Sequence, residues 1–326
     1  MELEPINGEY SVCRIPGLVV TSQKTLIACY ECRRGDSSDW AEIDLKIRRS
    51  IDKGDTWETV TVIKGEGETL NNPVMIVADE RIHFLFCKNY GQIFHSISED
   101  DGKHFSPPRE IKEATVGVDF FFNALAIGPG HGIFHQGRLL IPAWFACNRE
   151  KPRAHHPSVL SILCSEDGGK TWFVTPPLAT DGLVDPNESA LAVCQSGEVM
   201  LSIRSESPER LRAVAFSPNG VDGWTKPRFL PTLPDPVCQG SMISWREFIL
   251  HSNCESNVKR ENLTVKAIDR EERITRRILV DAVGGYSDLA VIDDWLFVLY
   301  EQGALHGKGG MHFQRFHLKE YFDLED

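Results

Sequence analysis

The sequence predicts an all-β chain, a six-bladed β-propeller whose blades are sheets of four antiparallel strands. Three observations predict it. First, an octapeptide of the form Ser-x-Asp-x-Gly-x-Thr-Trp occurs as Ser50–Trp57 and again as Ser165–Trp172. Ser98–Phe105 keeps its Ser, Asp and Gly and ends on an aromatic, while Ser217–Trp224 has Asn for Asp and retains the Trp. The copies begin at residues 50, 98, 165 and 217, so the intervals are 48, 67 and 52 residues, the spacing of sheets repeated around an axis. Second, the segments between copies read as short apolar strands. Third, no interior Pro/Gly/Ser-rich linker divides the 326 residues, so residues 1–326 are read as one domain of six sheets. Pairing of the terminal strands would close the ring and remove its free edges.

The octapeptide is a turn staple. Its Asp accepts hydrogen bonds from backbone N–H groups two or three residues on, its Gly supplies a positive φ, and its aromatic folds back over the hairpin. A metal or phosphate loop is the poorer reading, because the acidic positions are too few for an EF-hand.

In chain order, Ser11–Val20 and Lys24–Tyr30 read as two strands, with Arg14 a charge inside the first. A polar loop, Glu31–Trp40, precedes the strand Ile43–Arg49 and the first staple. The second unit runs through Pro73–Ile76 and Ile82–Cys87. The third holds the aromatic run Phe120–Phe122, the segment Gly128–Gly132 and the strand Leu139–Trp144. The long interval places an insertion there. His155 and His156 have no acidic or cysteine partner at metal-ligand spacing and are read as loop residues. Asp185–Val193 and Glu198–Arg204 each set a charge at one end of an apolar strand, and residues 241–251 and 262–268 continue the pattern. Asp269 is the remnant of a fifth staple. Gly285–Val291 and Trp295–Tyr300 form a hairpin, and Met311–Leu318 a last strand.

Hydrophobic content of 41% and charged content of 25% describe a globular chain. A net charge of −12 argues against nucleic acid as a partner. No apolar run reaches the ~18 residues of a membrane span, and the start lacks the basic-then-apolar pattern of a secretory leader. The chain is therefore expected to be cytoplasmic, a secreted chain that has lost its leader being the alternative. Nine cysteines, an odd number, are read as buried thiols of a reducing compartment. Cys29 and Cys32 form a lone CxxC with no second pair, which carries no metal assignment. Oligomeric state is not written in the sequence.

Arg14-Ile15-Pro16, joined to the repeated staples and to Tyr286-Ser287-Asp288 near the end of the chain, resembles the sialidase (exo-α-sialidase, neuraminidase) family of six-bladed propellers. The likeness spans essentially the whole chain in order. It implies removal of a terminal sialic acid from a sialylated glycan or small sialoside, with no cofactor and no metal. It implies a triad of arginines for the substrate carboxylate. Arg14 matches the Arg-Ile-Pro position, Arg204 the second, and Arg260, shortly before a strand and the eroded staple, the third. Guanidiniums suit the task because they stay charged and meet a carboxylate in paired geometry.

The resemblance further implies that Tyr286 is the nucleophile and Glu188 its partner. The physical reason is charge. The anomeric carbon bears a carboxylate, and an anionic nucleophile at ~4 Å would meet a repulsion of about 4 kcal/mol at an effective dielectric of 20. A phenol stays neutral until its proton leaves, an exception to the two-carboxylate scheme. For the acid/base, an aspartate a few residues past an arginine, Arg33 with Asp39 fits best, and Arg34 with Asp36 is the rival. Glu301 matches a carboxylate that braces the first triad arginine. Hydrolysis with retention is the first expectation. Release of an intramolecular anhydro product, preference for the deaminated sugar, and a propeller that only binds sialosides are the alternatives.

Overall fold

The computed structural model describes residues 1–6, 8–303 and 309–322. Six sheets follow one another along the chain. The first contains Val12–Val20, Leu26–Arg34, Glu42–Ser50 and Glu58–Ile63. The second contains Leu70–Ala78, Arg81–Lys88, Gln92–Ser98 and Arg109–Glu110, with Gly130–His131 running parallel along its first strand. In the third, Ala124–Ile127, Arg138–Ala146, Ser158–Ser165 and Phe173–Val174 are joined by the short Ile133–His135. The fourth is Ser189–Val193, Val199–Ile203, Leu211–Ser217 and Arg228–Pro234, and the fifth Ser241–Trp245, Phe248–Cys254, Leu263–Ile268 and Ile274–Asp281. The sixth takes Gly284–Ile292, Trp295–Gln302 and Met311–His317 from the end of the chain, and its fourth strand, Glu2–Glu4, from the beginning. The expected closure is therefore present, and the chain is an all-β, six-bladed propeller.

Burial explains the ring. Each junction between neighbouring sheets holds its own cluster of buried aliphatic and aromatic side chains. Ile43, Ile47, Met75 and Phe84 lie between the first and second sheets, and Ala290, Phe297, Leu18 and Tyr30 between the sixth and first. No sheet can bury its apolar faces without both neighbours, as expected of stacked repeats. Near the axis, the buried Asp288 carboxylate ties the sheets together. It accepts from the Leu18 N–H at 2.7 Å, Ser241 Oγ at 2.6 Å and His131 Nδ1 at 2.7 Å.

The staples join the third strand to the fourth in the first five sheets. In Ser165–Trp172, Asp167 accepts from the Lys170 N–H, the Thr171 N–H and Thr171 Oγ1, and Ser165 Oγ accepts from the Gly169 N–H. The carboxylate thus reaches four residues on, one farther than the sequence reading gave it. Gly169 has φ +84°, and a Cβ there would lie 2.8 Å from His83, so glycine is required by both backbone and space. Trp172 is 2% exposed. In the worn copy Asn219 Oδ1 accepts from Val221 and Asp222 N–H. In the remnant, Asp269 accepts from the Glu271 and Arg273 N–H groups, with the Arg273 side chain where Thr stood. In the sixth sheet the third strand pairs with Glu2–Glu4 from the beginning of the chain, so among the described residues no staple joins its third strand to its fourth.

One boundary differs from expectation. Glu31–Arg34 belong to a strand, not to the polar loop. Their charges tolerate burial because Glu31 and Arg33 pair with each other, a compensation that composition does not reveal.

Candidate active site

In an antiparallel sheet the start of the first strand lies beside the end of the second. Those two places, with the loop from second to third strand, form one end of the ring, and the staples form the other. The residues singled out in the sequence fall at the first end. Arg14 opens the first sheet, Glu188 immediately precedes the fourth, and Tyr286 opens the sixth. Arg204 and Glu301 close second strands, and Asp39 and Arg260 sit in second-to-third loops. They share one pocket with Ile15, Arg33, Asn72, Tyr90, Trp144, His155, Asn187 and Glu206; Glu301 lies behind its wall.

Tyr286 is at the centre, 5% exposed. Its hydroxyl donates to Glu188 Oε2 at 2.5 Å, and the same oxygen accepts from Arg204 Nη1. Arg204 Nη1 is also 3.1 Å from the phenol oxygen. The guanidiniums of Arg14 and Arg260 each lie 5.1 Å from the Tyr286 ring centre. Burial pushes the Tyr286 hydroxyl well above the ordinary phenol value, Arg204 pulling down and Glu188 pushing up. The phenol is neutral in the resting site and already hydrogen-bonded to a carboxylate that can take its proton.

Arg14 is held by Glu301, whose Oε1 is 3.2 Å from Arg14 Nε and accepts from the Ile15 N–H at 2.9 Å. Arg260 Nη2 donates to the Val237 carbonyl at 3.3 Å. Ile15 and Val237 have φ of 62° and 63°, and among the described residues they are the only β-branched side chains in that region. Such backbone costs roughly 1–3 kcal/mol per residue and persists where surroundings over-determine it. Ile15 packs against Tyr286 in one small cluster that also holds Cys238, the residue after Val237.

On the opposite wall, Asp39 Oδ1 accepts from Arg33 Nη1 at 2.7 Å and is 3.7 Å from Arg14 Nη1. Its side chain is 44% exposed. Burial raises the Asp39 carboxyl, but Arg33 and Arg14 outweigh this and hold it below its ordinary value. Arg33 is fully buried and committed on three sides, to Asp39, to the Ser37 carbonyl at 2.8 Å, and to Glu31 Oε2 at 2.8–3.0 Å. The rival pair does not reach the pocket. Arg34 bonds Glu9 and Asp44 on the outer side, and Asp36 closes its own turn through the Ser38 N–H.

Sequence reasoning missed the remaining wall. Tyr90, Trp144, His155 and Trp40 form an aromatic cluster with ring centres 4.8–6.4 Å apart. Burial lowers the His155 pKa, so its ring is neutral. Asn72 Nδ2, Trp144 Nε1, His155 Nε2 and Asn187 Oδ1 are buried without a protein partner, the polar atoms a bound ligand would satisfy. A signal existed. Asn72 opens its sheet as Arg14 does, Trp144 ends a second strand, and His155 sits in a second-to-third loop, so projecting the repeat onto the second and third sheets would have nominated them. Phe120 and Phe122 pack on Phe145 in the core, away from the pocket. A larger groove of about 820 Å³ lies at the staple end between the fourth and fifth sheets. Its floor is Met200, Phe216, Ile249 and Ile268, and Arg228 and Glu272 on its rim pair with each other.

The chain has recognisable relatives. The BNR repeat-like domain family matches residues 21–294. A sialidase of Bacteroides fragilis is 30% identical over 94% of this chain, which spans 62% of that protein's length. Among solved structures, a Hadza microbial sialidase superposes with a TM-score of 0.83 at 25% identity, covering 96% of this chain and 67% of that one. A leech intramolecular trans-sialidase complexed with 2,7-anhydro-Neu5Ac gives 0.79 at 15% identity over 96% of this chain and 69% of its own, a likeness of fold. With a BNR match over most of its length and this pocket at one end of the ring, the chain belongs to the sialidase family of β-propellers.

Proposed function

We propose that this protein is a retaining exo-α-sialidase, acting through a covalent bond to Tyr286. The observation that carries the reading is the Glu188 oxygen shared by the Tyr286 hydroxyl and Arg204, with Arg14 and Arg260 flanking the same ring. Arg14, Arg204 and Arg260 grip the substrate carboxylate and present the anomeric carbon to the phenol. As the C–O bond to the leaving group lengthens, Glu188 takes the phenolic proton and Asp39 protonates the departing oxygen. Water then enters, Asp39 accepts its proton, the bond to Tyr286 breaks, and Glu188 returns the proton to the phenol.

Arg33 and Arg14 hold Asp39 anionic, which is the wrong state for an acid. The substrate supplies the correction. Its carboxylate takes over the charge of Arg14, one of the two cations that hold Asp39 down, so binding raises Asp39 toward the protonated form. Arg33 keeps the carboxyl in place meanwhile.

The test is turnover of aryl sialosides differing at C5, with the first-formed product identified by NMR. Release of the free α-anomer supports retaining hydrolysis. A 2,7-anhydro product assigns the intramolecular reaction instead, and binding without turnover reduces the protein to a sialoside receptor.

A further inference from the structure

The cluster beneath Tyr286 contains two residues that the catalytic reading does not use. Cys238 and Cys254 are fully buried free thiols packed with Ile15 and Tyr286. Cys238 lies three residues before the first strand of the fifth sheet, and Cys254 ends the second strand of that sheet. Their side chains therefore meet at the pocket end of one hairpin, packed in the same buried cluster, and the Cys254 thiol donates to the Gly284 carbonyl at 3.5 Å.

We propose that Cys238 and Cys254 are an oxidisable dithiol whose closure by hydroperoxide loosens the grip of the pocket on its anionic ligand. The chemistry is balanced by one peroxide. The Cys238 thiolate attacks one peroxide oxygen, the O–O bond breaks, and protonation releases the first water, leaving a sulfenic acid. Cys254 sulfur then attacks the sulfenic sulfur, the S–O bond breaks, and the thiol proton leaves with the oxygen as a second water. Two thiols are oxidised, and the peroxide is reduced to two waters.

The environment differentiates the two thiols as this sequence requires. Burial raises Cys238, but the neighbouring Cys254 and the charge of Arg260 outweigh it, so the thiol sits below its ordinary value. Cys254 is pushed up by its neighbour Cys238 and by burial. One sulfur is prepared as the attacking thiolate and the other as the resolving thiol.

The consequence follows from what the Cys238 segment holds. The Val237 carbonyl, on strained backbone, accepts from Arg260. Gln239 Oε1 accepts from the Ser287 N–H at 3.0 Å, next to Tyr286. The Cys238 carbonyl accepts from the buried Arg212 at 3.0 Å. A disulfide needs its sulfurs at about 2.05 Å, closer than two thiols in van der Waals contact, so closure draws this segment toward the strand Phe248–Cys254. Val237 then leaves Arg260, and Gln239 leaves the strand that carries the phenol. Loss of one charge-assisted contact to a bound carboxylate corresponds to roughly 10- to 100-fold in affinity.

The experiment uses the whole protein, reduced and desalted, then treated with hydrogen peroxide. Non-reducing peptide mapping is paired with calorimetric titration of a 2,3-didehydro sialic acid analogue. The expected result is a Cys238–Cys254 cross-linked peptide, affinity reduced about tenfold or more, and recovery with dithiothreitol. Cys238→Ser and Cys254→Ser should each keep the affinity of their own untreated sample. Cys13→Ser should respond as the parent does, although Cys13 and Cys32 sulfurs lie 3.2 Å apart on neighbouring strands. Absence of the cross-link at saturating peroxide, a cross-link without change in affinity, or an undiminished loss in Cys254→Ser would each overturn the proposal. If the reduced protein does not bind the analogue, the sialidase reading fails, and the mapped peptide still decides whether the dithiol exists.

Discussion

The two ends of the propeller solve the same problem, satisfying polar groups at the edge of a sheet, in opposite ways. At the staple end the solution is local: Asp167, Ser165 and Thr171 bond within four residues of one another. At the pocket end it is distant. Tyr286 meets Glu188 across 98 residues, and Arg14 meets Glu301 across 287. A staple can be lost without moving its counterparts in other sheets, whereas each pocket residue depends on several sheets arriving together. The staple end closes its turns hairpin by hairpin, while the pocket end gathers Asn72 Nδ2, Trp144 Nε1, His155 Nε2 and Asn187 Oδ1 unmatched around one cavity. Closure around the ring converts the first kind of edge into support for the second.

That contrast is sharpened by mutating each end in turn, and the largest effect belongs to Tyr286→Phe. Only the phenolic oxygen is removed, so packing and binding of the didehydro analogue should change little. The loss of kcat is expected to be about a thousandfold or more, measured by steady-state kinetics beside a titration of the analogue. A comparable loss of analogue affinity would mean that the hydroxyl serves binding.

A smaller and substrate-dependent effect is expected at Asp39. Asp39→Ala should lower turnover of natural sialosides by roughly 100-fold or more, and that of aryl sialosides with good leaving groups much less at the first step. Equal losses on both would remove Asp39 from the acid role.

At the other end, Asp167→Ala should leave kcat and KM near those of the parent and lower stability by about 1–2 kcal/mol, the scale of a lost cap. Denaturant unfolding reads it. A fall in kcat as large as that in Tyr286→Phe would break the division between the two ends.

The last prediction is a pH dependence that belongs to the staple end. His83 and His95 are buried beside Gly169 with Nδ1 and Nε2 3.0 Å apart, and burial holds them down to about 4 and about 3. Their folded values lie below the unfolded value of about 6.5, so the neutral pair contributes stability that is complete above that value. It is lost as pH falls through the window toward 4. His95→Gln should flatten the loss between pH 6.5 and 4, followed as a shift in Tm, while an unchanged profile would place the acid sensitivity elsewhere.

The same division governs how much was legible in the sequence. The staples announce themselves because each is a complete set of bonds in eight consecutive residues, and their spacing fixes the number of sheets before any contact is known. The pocket is not written that way. Arg14 and Glu188 were nominated by resemblance, since nothing near Arg14 in the chain says that Glu301 will stand behind it. Glu31 and Arg33 read as loop residues because charges two positions apart in a charge-rich stretch look solvated until their mutual ion pair is seen. His155, taken as a loop residue, sits in a loop and also faces the pocket, because Tyr90 and Trp144 arrive from two other strand ends to stack on it. What the sequence could not give was the meeting of distant loops, and repeat arithmetic would have supplied part of it.

The central claim is that Tyr286 forms a covalent bond to the sugar, and trapping that bond tests it most directly. A 2,3-difluorinated sialoside reacts at the anomeric carbon, and its second fluorine slows breakdown of the product. After time-dependent inactivation, peptide mapping by mass spectrometry should place one sugar on the peptide containing Tyr286 and none in Tyr286→Phe. An adduct on any other residue, or inactivation without an adduct, would contradict the account.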